Sequence, residues 1–377
     1  MKNITIAALL ILVGIFGFLL IDRPQEPGVI KIGSIAALTG VGNVIGEEEL
    51  NGALLAVEEI NSKGGVHGSK LELVSEDVSL DKLKVAVSVA RKLIEVDKVV
   101  AIVGPQWDEP AMPILPIIEE AQVPMIGADS SPDLEKEKSY EYFFSTWHDN
   151  RVGIRELLRF AEAKNIHRVA IIKPIAAGFW EFTARTMREE ASKYGVEIVE
   201  EIDMGNPLSL DFKTPLLKLR AVNPEAIFAV TSDYNQCPFL TQADQMGFTG
   251  ITLGTESSGD PASLGQCPKL MEKRFFSTPS KTTKYQAFAD SFKSKFGTEP
   301  KYPTSVTAYD AVYVIARALE KTKLKGGIVL RNVIAETQYE GVSTPLITFN
   351  AKGFVSTPEN GFEMQTVKDG SFVKLEN

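Results

Sequence analysis

The chain has 377 residues, of which 44% are hydrophobic and 24% charged, and its formal net charge is −9. This length exceeds what one hydrophobic core usually supports, so we predict two core-forming units. The negative charge argues against a nucleic-acid partner, which would require a basic face.

The N-terminal segment 4–21 is an uncharged apolar run that ends at Asp22-Arg23-Pro24. A helix of this length rises about 27 Å, close to the thickness of the hydrocarbon core of a bilayer. We therefore predict an N-terminal apolar helix that anchors the protein in a membrane. A cleaved signal peptide is the alternative, although its apolar part is usually shorter and no small-residue cleavage site precedes Asp22. Both interpretations export the rest of the chain.

From residue 29 onward, short apolar strands alternate with amphipathic helices. The helix 47–63 shows the pattern clearly, since Leu50, Leu54 and Val57 share one face at 3.6-residue spacing. This alternation predicts βαβ units with parallel strands and right-handed crossovers. In the first half the predicted strands are 29–37, 71–74, 99–103 and 124–126, and the predicted helices are 47–63, 82–95 and 111–121.

The same alternation starts again after residue 150 and predicts a second α/β unit of similar size. Its predicted strands are 169–172, 196–199, 226–230 and 251–253, and its predicted helices are 153–164, 180–194, 212–221 and 239–246. Three further helices are predicted over 285–296, 305–321 and 328–336. The tail alternates apolar and polar residues, which predicts antiparallel strands over 346–349, 362–367 and 372–375.

The two cysteines, Cys237 and Cys267, each stand in a Gln-Cys-Pro triplet. Outside the cytoplasm two such residues are able to form a disulfide. Two separate small residues are the alternative, because the sequence does not give the Cα separation that a disulfide needs.

The turn 103–110 leaves a predicted strand and enters a predicted helix, and it carries Trp107, Asp108 and Glu109. Open α/β folds bind ligands at this edge of a parallel sheet, so we predict a ligand site there. The alternative role for Asp108 is a solvated turn residue or a helix cap.

Several motifs in this chain resemble the type I periplasmic binding proteins, specifically the branched-chain amino-acid-binding receptors of ABC transporters. The matching stretches are 32–40 (IGSIAALTG), 51–53 (NGA), 60–68 (INSKGGVHG), Gly104-Pro105, 123–126 (VPMI) with Ser131-Pro132, and 308–311 (AYDA). The resemblance implies an α/β fold of two doubly wound parallel-sheet lobes joined by a hinge of several crossing strands, with the ligand between the lobes.

The resemblance also implies the domain limits. An N-terminal segment, 1–28, precedes the folded body. The first lobe comprises 29–147 and 278–336, and the second comprises 148–277 and 337–377. Trp147 and His148 fall at a lobe crossing, where they line the cleft or pack in the hinge.

In that family, two first-lobe loops hold the ligand α-carboxylate, and an acid of the second lobe meets the α-amine. The resemblance places these positions on Asp108, on Asp129 with Ser130, and on Glu256. Asp129 and Ser130 have an alternative role as helix caps. The family's aromatic positions fall on Ile45, on Ala177, and on Asp233 or Tyr234.

A carboxylate at 108, joined by Asp129, would repel a ligand carboxylate by about 4 kcal/mol at 4 Å and an effective dielectric of 20. We therefore expect a ligand that presents hydroxyls, amides or a cationic nitrogen to these residues. Trp107, Phe179 or Trp180 would stack on it. Core packing is the alternative role for at least one of the latter two.

We expect non-catalytic capture of a small polar molecule outside the cytoplasmic membrane and its delivery to an ABC-transporter permease, without a cofactor. The histidines are scattered with no metal-ligand spacing. One alternative function is a sensor ectodomain that works with a separate signalling partner. Another is a cleft enzyme using NAD, because residues 39–46 approximate the dinucleotide fingerprint with the last interval one residue too long.

Overall fold

The computed structural model describes residues 28–127, 140–176, 178–232 and 234–376. These residues form two sheets of mostly parallel strands with helices packed on them, as predicted from the alternating pattern. The predicted N-terminal apolar helix lies outside the described residues. Among the helices that are described, none is both long and apolar enough to span a bilayer.

The first sheet has the strand order β2-β1-β3-β4-β5, and all of its neighbouring strands are parallel. Strand β1 is central to the fold because it pairs with β2 along its whole length and with β3 on its other side. The strands are β1 (Val29–Ala36), β2 (Lys70–Asp77), β3 (Ala101–Val103), β4 (Met125–Gly127) and β5 (Phe143–Ser145), and the helices between them are α1 (Asn43–Ser62), α2 (Ala86–Arg91), α3 (Asp108–Ala111) and α4 (Leu115–Ala121).

Later parts of the chain return to complete the first lobe. Helices α11 (Tyr285–Phe296), α12 (Thr304–Thr322) and α13 (Gly327–Ala335) supply buried residues to the same core as β1 and α1. Val342, Ile347 and Val355 also pack in this core, whereas the predicted second lobe resumes at residue 337. The predicted strand 346–349 is wrong. This stretch is a loop that makes the isolated bridges Tyr339–Ile347 and Phe349–Val355, and within it Ile347 is buried while Leu346 is exposed.

The second sheet has the order β12-β11-β10-β9-β8-β6-β7. The predicted antiparallel strands of the tail, β11 and β12, are present. β11 pairs with β10, which joins the tail to the parallel part of the sheet. The strands are β6 (Arg168–Lys173), β7 (Glu197–Asp203), β8 (Ala226–Ala229), β9 (Ile251–Gly254), β10 (Arg274–Pro279), β11 (Phe362–Lys368) and β12 (Ser371–Lys374). The helices are α5 (Asn150–Ala163), α6 (Phe179–Glu190), α7 (Lys213–Val222), α8 (Gln236–Gln245), α9 (Pro261–Gln266) and α10 (Pro268–Met271).

Strand β10 was not predicted, because the buried charged residue Arg274 and the polar residues Ser277 and Thr278 interrupt its apolar run. The segment predicted as a helix over 82–95 is helical in the structure, but it is not one regular α-helix. The structure has a 3-10 turn, the short helix α2 and a π turn in this region. The β-branched residues Val85, Val87 and Val89 favour a regular helix less than unbranched residues do.

The chain crosses between the lobes at 146–149, 280–284 and 356–361. The crossings are tied to one another. The Asp149 N–H donates to Thr357 Oγ1 at 2.8 Å, and the Ser280 N–H donates to the Gly361 carbonyl at 2.9 Å. Trp147 and His148 are buried in the first crossing. This arrangement puts the carboxyl ends of β3 and β9 at the cleft between the lobes.

Candidate functional site

The turn from β3 into α3 carries Trp107 and Asp108 to the edge of the first sheet. Gly104, with φ of +81°, lies so close to the Ile35 carbonyl that any side chain at this position would clash. The loop therefore packs directly against β1. Trp107 and Asp108 come shortly after this contact in the chain, where the helix α3 begins. Asp108 is the first residue of α3 and the cap residue Trp107 makes no side-chain cap hydrogen bond, so capping does not explain Asp108.

Trp107 and Tyr234 meet across the cleft at Gly42. The indole ring of Trp107 packs directly against Gly42 in the β1–α1 turn, and a Cβ at this position would overlap the ring. The Gly42 N–H donates to the Tyr234 hydroxyl of the second lobe at 3.2 Å. One glycine backbone thus joins two predicted ligand residues from opposite lobes.

Asp108 also reaches the second lobe. Its carboxylate contacts Gly178, the cap residue of α6, where a Cβ would overlap Asp108 Oδ2. This oxygen is buried and has no hydrogen-bond partner among the described residues. No side chain caps α6, so the carboxylate lies at an N-terminus that favours negative charge. The two lobes are therefore in contact at this point.

Glu256 lies in a different part of the cleft, in the 3-10 turn 256–259 that follows β9. Burial raises the pKa of its carboxyl to about 7. Glu256 lines a cavity of about 370 Å³ together with Tyr302, but Trp107, Asp108 and Tyr234 do not. The predicted site residues thus fall into two groups in the cleft: Trp107, Asp108 and Tyr234 form one, and Glu256 belongs to the other.

Tyr302 makes a second hydrogen bond between the lobes. Its hydroxyl donates to Asp260 Oδ1 at 2.7 Å, and Asp260 also accepts the backbone N–H groups of Ala262 and Ser263 at the start of α9. The sequence analysis missed Tyr302. Its place directly before Pro303 and α12 is the only local signal, and that signal indicates a helix start rather than a ligand site.

Phe179 and Trp180 begin α6, and their rings meet edge to face at 5.6 Å. Both pack against the second core while remaining partly exposed. This packing is the alternative that the sequence left open. Phe179 is nevertheless next to Gly178 and therefore close to Asp108.

Other predicted residues lie outside the described residues, and their ligand roles stay predictions. They are Asp129, Ser130, Asp233 and Ala177. Ile45 is described and is half-buried near the start of α1.

Two glutamines that the sequence analysis did not select, the buried Gln236 and the half-buried Gln106, approach the same cleft. Gln236 is fully buried, and its Nε2 donates to the Ser258 carbonyl in the turn that carries Glu256, at 3.4 Å. Its Oε1 has no partner among the described residues, and neither does Oε1 of Gln106, next to Trp107. A glutamine gives no sequence signal of its own, because most glutamines are solvated.

Arg274 holds the turn 256–259 in place through hydrogen bonds to Ser258. Its guanidinium is fully buried and donates to Ser258 Oγ from Nε at 3.0 Å and from Nη2 at 2.8 Å. It also donates to the Leu253 and Ala229 carbonyls at 3.1 and 2.8 Å. Burial lowers the pKa of Arg274 to about 9. The guanidinium thus joins the ends of β8 and β9 to the turn of Glu256.

Cys237 and Cys267 form a disulfide, with their Cα atoms 5.9 Å apart. Cys237 is in the first turn of α8, next to Gln236, and Cys267 lies at the start of α10; both belong to one buried hydrophobic cluster of the second lobe. The bridge fixes the start of α8, and with it Gln236, to the neighbouring helices.

In the turn that approximates a dinucleotide fingerprint, backbone N–H groups already form hydrogen bonds with carboxylates of this chain. The Leu38 and Thr39 N–H groups donate to Asp77 Oδ1, and the Val41 N–H donates to Asp81 Oδ1. Two carboxylates thus take up the backbone donors that a pyrophosphate would need. In the described parts of the chain, no group of three or more His, Cys, Asp or Glu side chains is placed to hold a metal ion.

Comparisons with known proteins agree with this architecture. The chain is 25% identical over 337 residues to Leu/Ile/Val-binding protein homolog 7 of Brucella abortus (strain 2308), covering 84% of this chain and 83% of that protein. It is 28% identical over 298 residues to the leucine-, isoleucine-, valine-, threonine-, and alanine-binding protein of Pseudomonas aeruginosa, covering 78% of each.

Solved structures of similar shape include the leucine-binding protein LivK of Thermotoga maritima, with a TM-score of 0.81, 23% identity, and 92% of this chain and 98% of that chain covered. The branched-chain amino acid transporter substrate-binding protein LivJ of Streptococcus pneumoniae, in complex with isoleucine, has a TM-score of 0.79 and 25% identity, with 92% and 100% covered. The family model described as "Periplasmic binding protein" matches residues 29–371. The chain therefore belongs to the periplasmic binding protein family.

Proposed function

We propose that this protein is the extracytoplasmic substrate-binding protein of an ABC transporter. It captures a small polar molecule in the cleft between its two lobes and closes on it through the hinge. The family match and the contacts of Tyr234 and Tyr302 across the cleft support this proposal. Relatives named for binding leucine, isoleucine and valine suggest an amino-acid-like ligand.

The observation that carries the ligand class is a surplus of acceptors around the cleft. Asp108 Oδ2, Gln106 Oε1 and Gln236 Oε1 are buried without partners among the described residues. The Oε1 assignment of Gln236 follows from its bond to the Ser258 carbonyl, which can only accept and so must face Nε2. Buried acceptors are costly unless a donor meets them. A ligand that brings amide or ammonium N–H groups satisfies them, whereas a ligand carboxylate at Asp108 does not.

Closure would follow from differential binding. Trp107, Asp108 and the Gly42 backbone belong to the first lobe, whereas Gly178 and Tyr234 belong to the second. A ligand held by both sets favours the closed state by as much as its affinity for that state exceeds its affinity for the open state.

Delivery to a permease and anchoring by residues 4–21 complete the proposal. The apolar run and the charged residues after it support an N-terminal anchor, which would keep the loaded protein at the outer face of the cytoplasmic membrane.

A thermal-shift screen tests the proposed function. The panel contains amino acids, amides, polyamines, sugars, nucleosides and NAD. A ligand at 100 times its Kd adds about 2.7 kcal/mol of stability and raises the melting temperature. We expect stabilisation by amides or cationic amines and none by leucine or valine. Stabilisation by leucine or valine alone would overturn the ligand class, and stabilisation by NAD alone would overturn the transport function.

A further inference from the structure

The edge of the first sheet that faces away from the cleft carries a group of exposed lysines. Strands β1, β2 and β3 run parallel, so their amino ends meet at this edge. Val29 pairs with Lys70, and the pairing of Ile32 with Ala101 places Lys98 at the same level. We call this edge the lysine face and define it by six exposed side chains: Lys63, Lys70, Lys98, Lys321, Lys323 and Lys325.

The end of α12 brings the last three of these lysines to the face. His67, in the turn before β2, has its Nε2 atom 2.8 Å from the Glu320 carbonyl in the last turn of α12. The segments 61–70 and 320–329 together contain five lysines and a single acid, Glu320. The chain as a whole has a net charge of −9, so the sign of the charge is reversed at this face.

Stabilisation of helix ends explains only part of this pattern. Lys321 lies in the last turn of α12, where a cation favours the helix, but Lys98 and Lys325 are outside any helix. Apolar side chains are also exposed at this edge, since Val29 is 59% exposed and Val96, two residues before Lys98, is 71% exposed. Lysines among exposed apolar side chains are the combination that binds the interface of an anionic membrane.

The chain enters the lysine face directly from the predicted anchor. The apolar run ends at residue 21, and the Gly28 carbonyl accepts the Lys70 N–H at 3.2 Å. Even when fully extended, the six residues 22–27 reach only about 20 Å. An anchor at 4–21 therefore holds the lysine face close to the membrane surface, whereas the cleft is at the opposite edge of the sheet.

We propose that the lysine face docks the anchored protein on an anionic lipid surface and keeps the cleft clear of the membrane. This inference rests on the proposed anchoring by residues 4–21 and does not depend on which ligand the cleft takes. Charges act on the lipid mainly within about 8 Å at physiological salt, so the acidic remainder of the chain does not prevent docking. Each lysine close to such a surface favours the docked state about fivefold.

Energy transfer to a lipid-linked acceptor dye measures how close the face lies to the membrane. The full chain is inserted into vesicles of phosphatidylcholine, either pure or with about one third phosphatidylglycerol. Both native cysteines form the disulfide, so Ser62→Cys, at the end of α1, adds one site for a donor dye next to the lysine face. Ser192→Cys, just before β7 at the amino edge of the second sheet, is the matched control label. We expect phosphatidylglycerol to increase the transfer from residue 62 and not from residue 192.

Salt and charge reversal identify the cause of the increase. Raising the salt concentration to about 0.5 M should remove it, because screening shortens the reach of the charges. One triple variant should also remove it, since the docked state becomes less favourable by about a hundredfold or more. This variant reverses the lysines at the end of α12: Lys321→Glu, Lys323→Glu and Lys325→Glu. The matched control should keep the increase, and it reverses three exposed lysines of the second lobe: Lys213→Glu, Lys218→Glu and Lys269→Glu.

Each result decides the proposal, and circular dichroism checks that each variant folds. Equal transfer from residue 62 in the two kinds of vesicle, or an increase that persists in the α12 triple variant, overturns docking and leaves the anchor and the transport function intact. If the full chain does not float with neutral vesicles, the proposed anchor fails. The lysine face then stands if the chain floats with anionic vesicles and the α12 triple variant does not, and it is overturned otherwise. A thermal-shift screen without a hit counts against the transport function alone.

Discussion

At Asp108 a carboxylate of the first lobe lies against the backbone of Gly178 in the second, with one oxygen buried and unpartnered. A buried charged acceptor is stable only when donors meet it. The N-terminus of α6 supplies part of the compensation, and a ligand N–H group would supply the rest. We therefore propose that this residue sets the class of ligand that the closed cleft accepts.

The substitution Asp108→Asn keeps the shape of the side chain and removes its charge. We expect affinity for the amide or amine found by the screen to fall about 10- to 100-fold, as for the loss of one charged hydrogen bond. Isothermal titration calorimetry measures the change. Asp244→Asn, on an exposed face of α8, is the control and should bind like the wild type. Unchanged affinity in Asp108→Asn would remove Asp108 from the site.

Glu49 is a second buried carboxyl near the same loop. It is 2% exposed, its Oε1 lies under Gly104, and its Oε2 has no partner among the described residues. Burial raises its pKa from 4.5 to about 8. Between these values the folded state holds a proton that the unfolded state has lost, so Glu49 lowers stability progressively as the pH rises through this window.

Glu49→Gln should remove this contribution. We expect the wild type to lose roughly 1 kcal/mol more per pH unit than the variant between about pH 5 and pH 8. Chemical denaturation at several pH values measures the difference. Glu47→Gln changes the exposed neighbour two residues earlier and should follow the wild type. Parallel pH profiles for wild type and Glu49→Gln would show that Glu49 is ionised when folded.

At the scale of elements, the start of α6 determines how closely the lobes approach. Gly178 has φ of +65° and ψ of −138°, a conformation that other residues avoid, and its backbone contacts Asp108. Glycine at this position thus permits both the turn into α6 and contact between the lobes.

Gly178→Ala should weaken ligand binding about tenfold or more, because the added methyl group meets the Asp108 carboxylate only when the lobes are closed. Gly195→Ala is the control. Gly195 also has a positive φ, of +68°, but nothing lies within 4 Å of an added Cβ. Both variants should lose about 1–3 kcal/mol of stability from backbone strain, and only Gly178→Ala should lose affinity. Equal affinities in calorimetry would contradict a closed-state contact at Gly178.

The elements show how far a sequence predicts this fold. The βαβ alternation was readable because β6 and β8 contain continuous apolar runs and the apolar residues of the helices repeat every 3.6 residues. Strand β10 was missed because its buried Arg274 bonds to carbonyls and hydroxyls that only the folded chain brings together. The false strand at 346–349 arose because this loop, in which Ile347 is buried and Leu346 exposed, carries the same apolar spacing as a strand.

The candidate site was predictable only in part. The turn at Trp107 and Asp108 follows a recognisable strand, so its position at the sheet edge could be inferred. The contacts of Asp108 with Gly178 and of Tyr302 with Asp260 join residues that are far apart in the chain. Nothing in local spacing encodes such pairs, so these contacts between the lobes could not be predicted.

At the scale of the whole molecule, the structure shows the lobes in contact. Gly42 with Tyr234, Asp108 with Gly178, and Tyr302 with Asp260 all join one lobe to the other. The unpartnered acceptors between the lobes make this closed arrangement costly without a ligand. The ligand-free protein should therefore populate an open state by rotating about the crossings at 146–149, 280–284 and 356–361.

Small-angle X-ray scattering, with and without the ligand from the screen, tests ligand-driven closure most directly. The account predicts that the ligand-free radius of gyration exceeds the value calculated from this structure, and that saturating ligand brings it down to that value. The Asp108→Asn variant should need more ligand to reach the same radius. A radius that matches the closed structure without ligand, or that does not change at saturation, would contradict capture by closure of the two lobes.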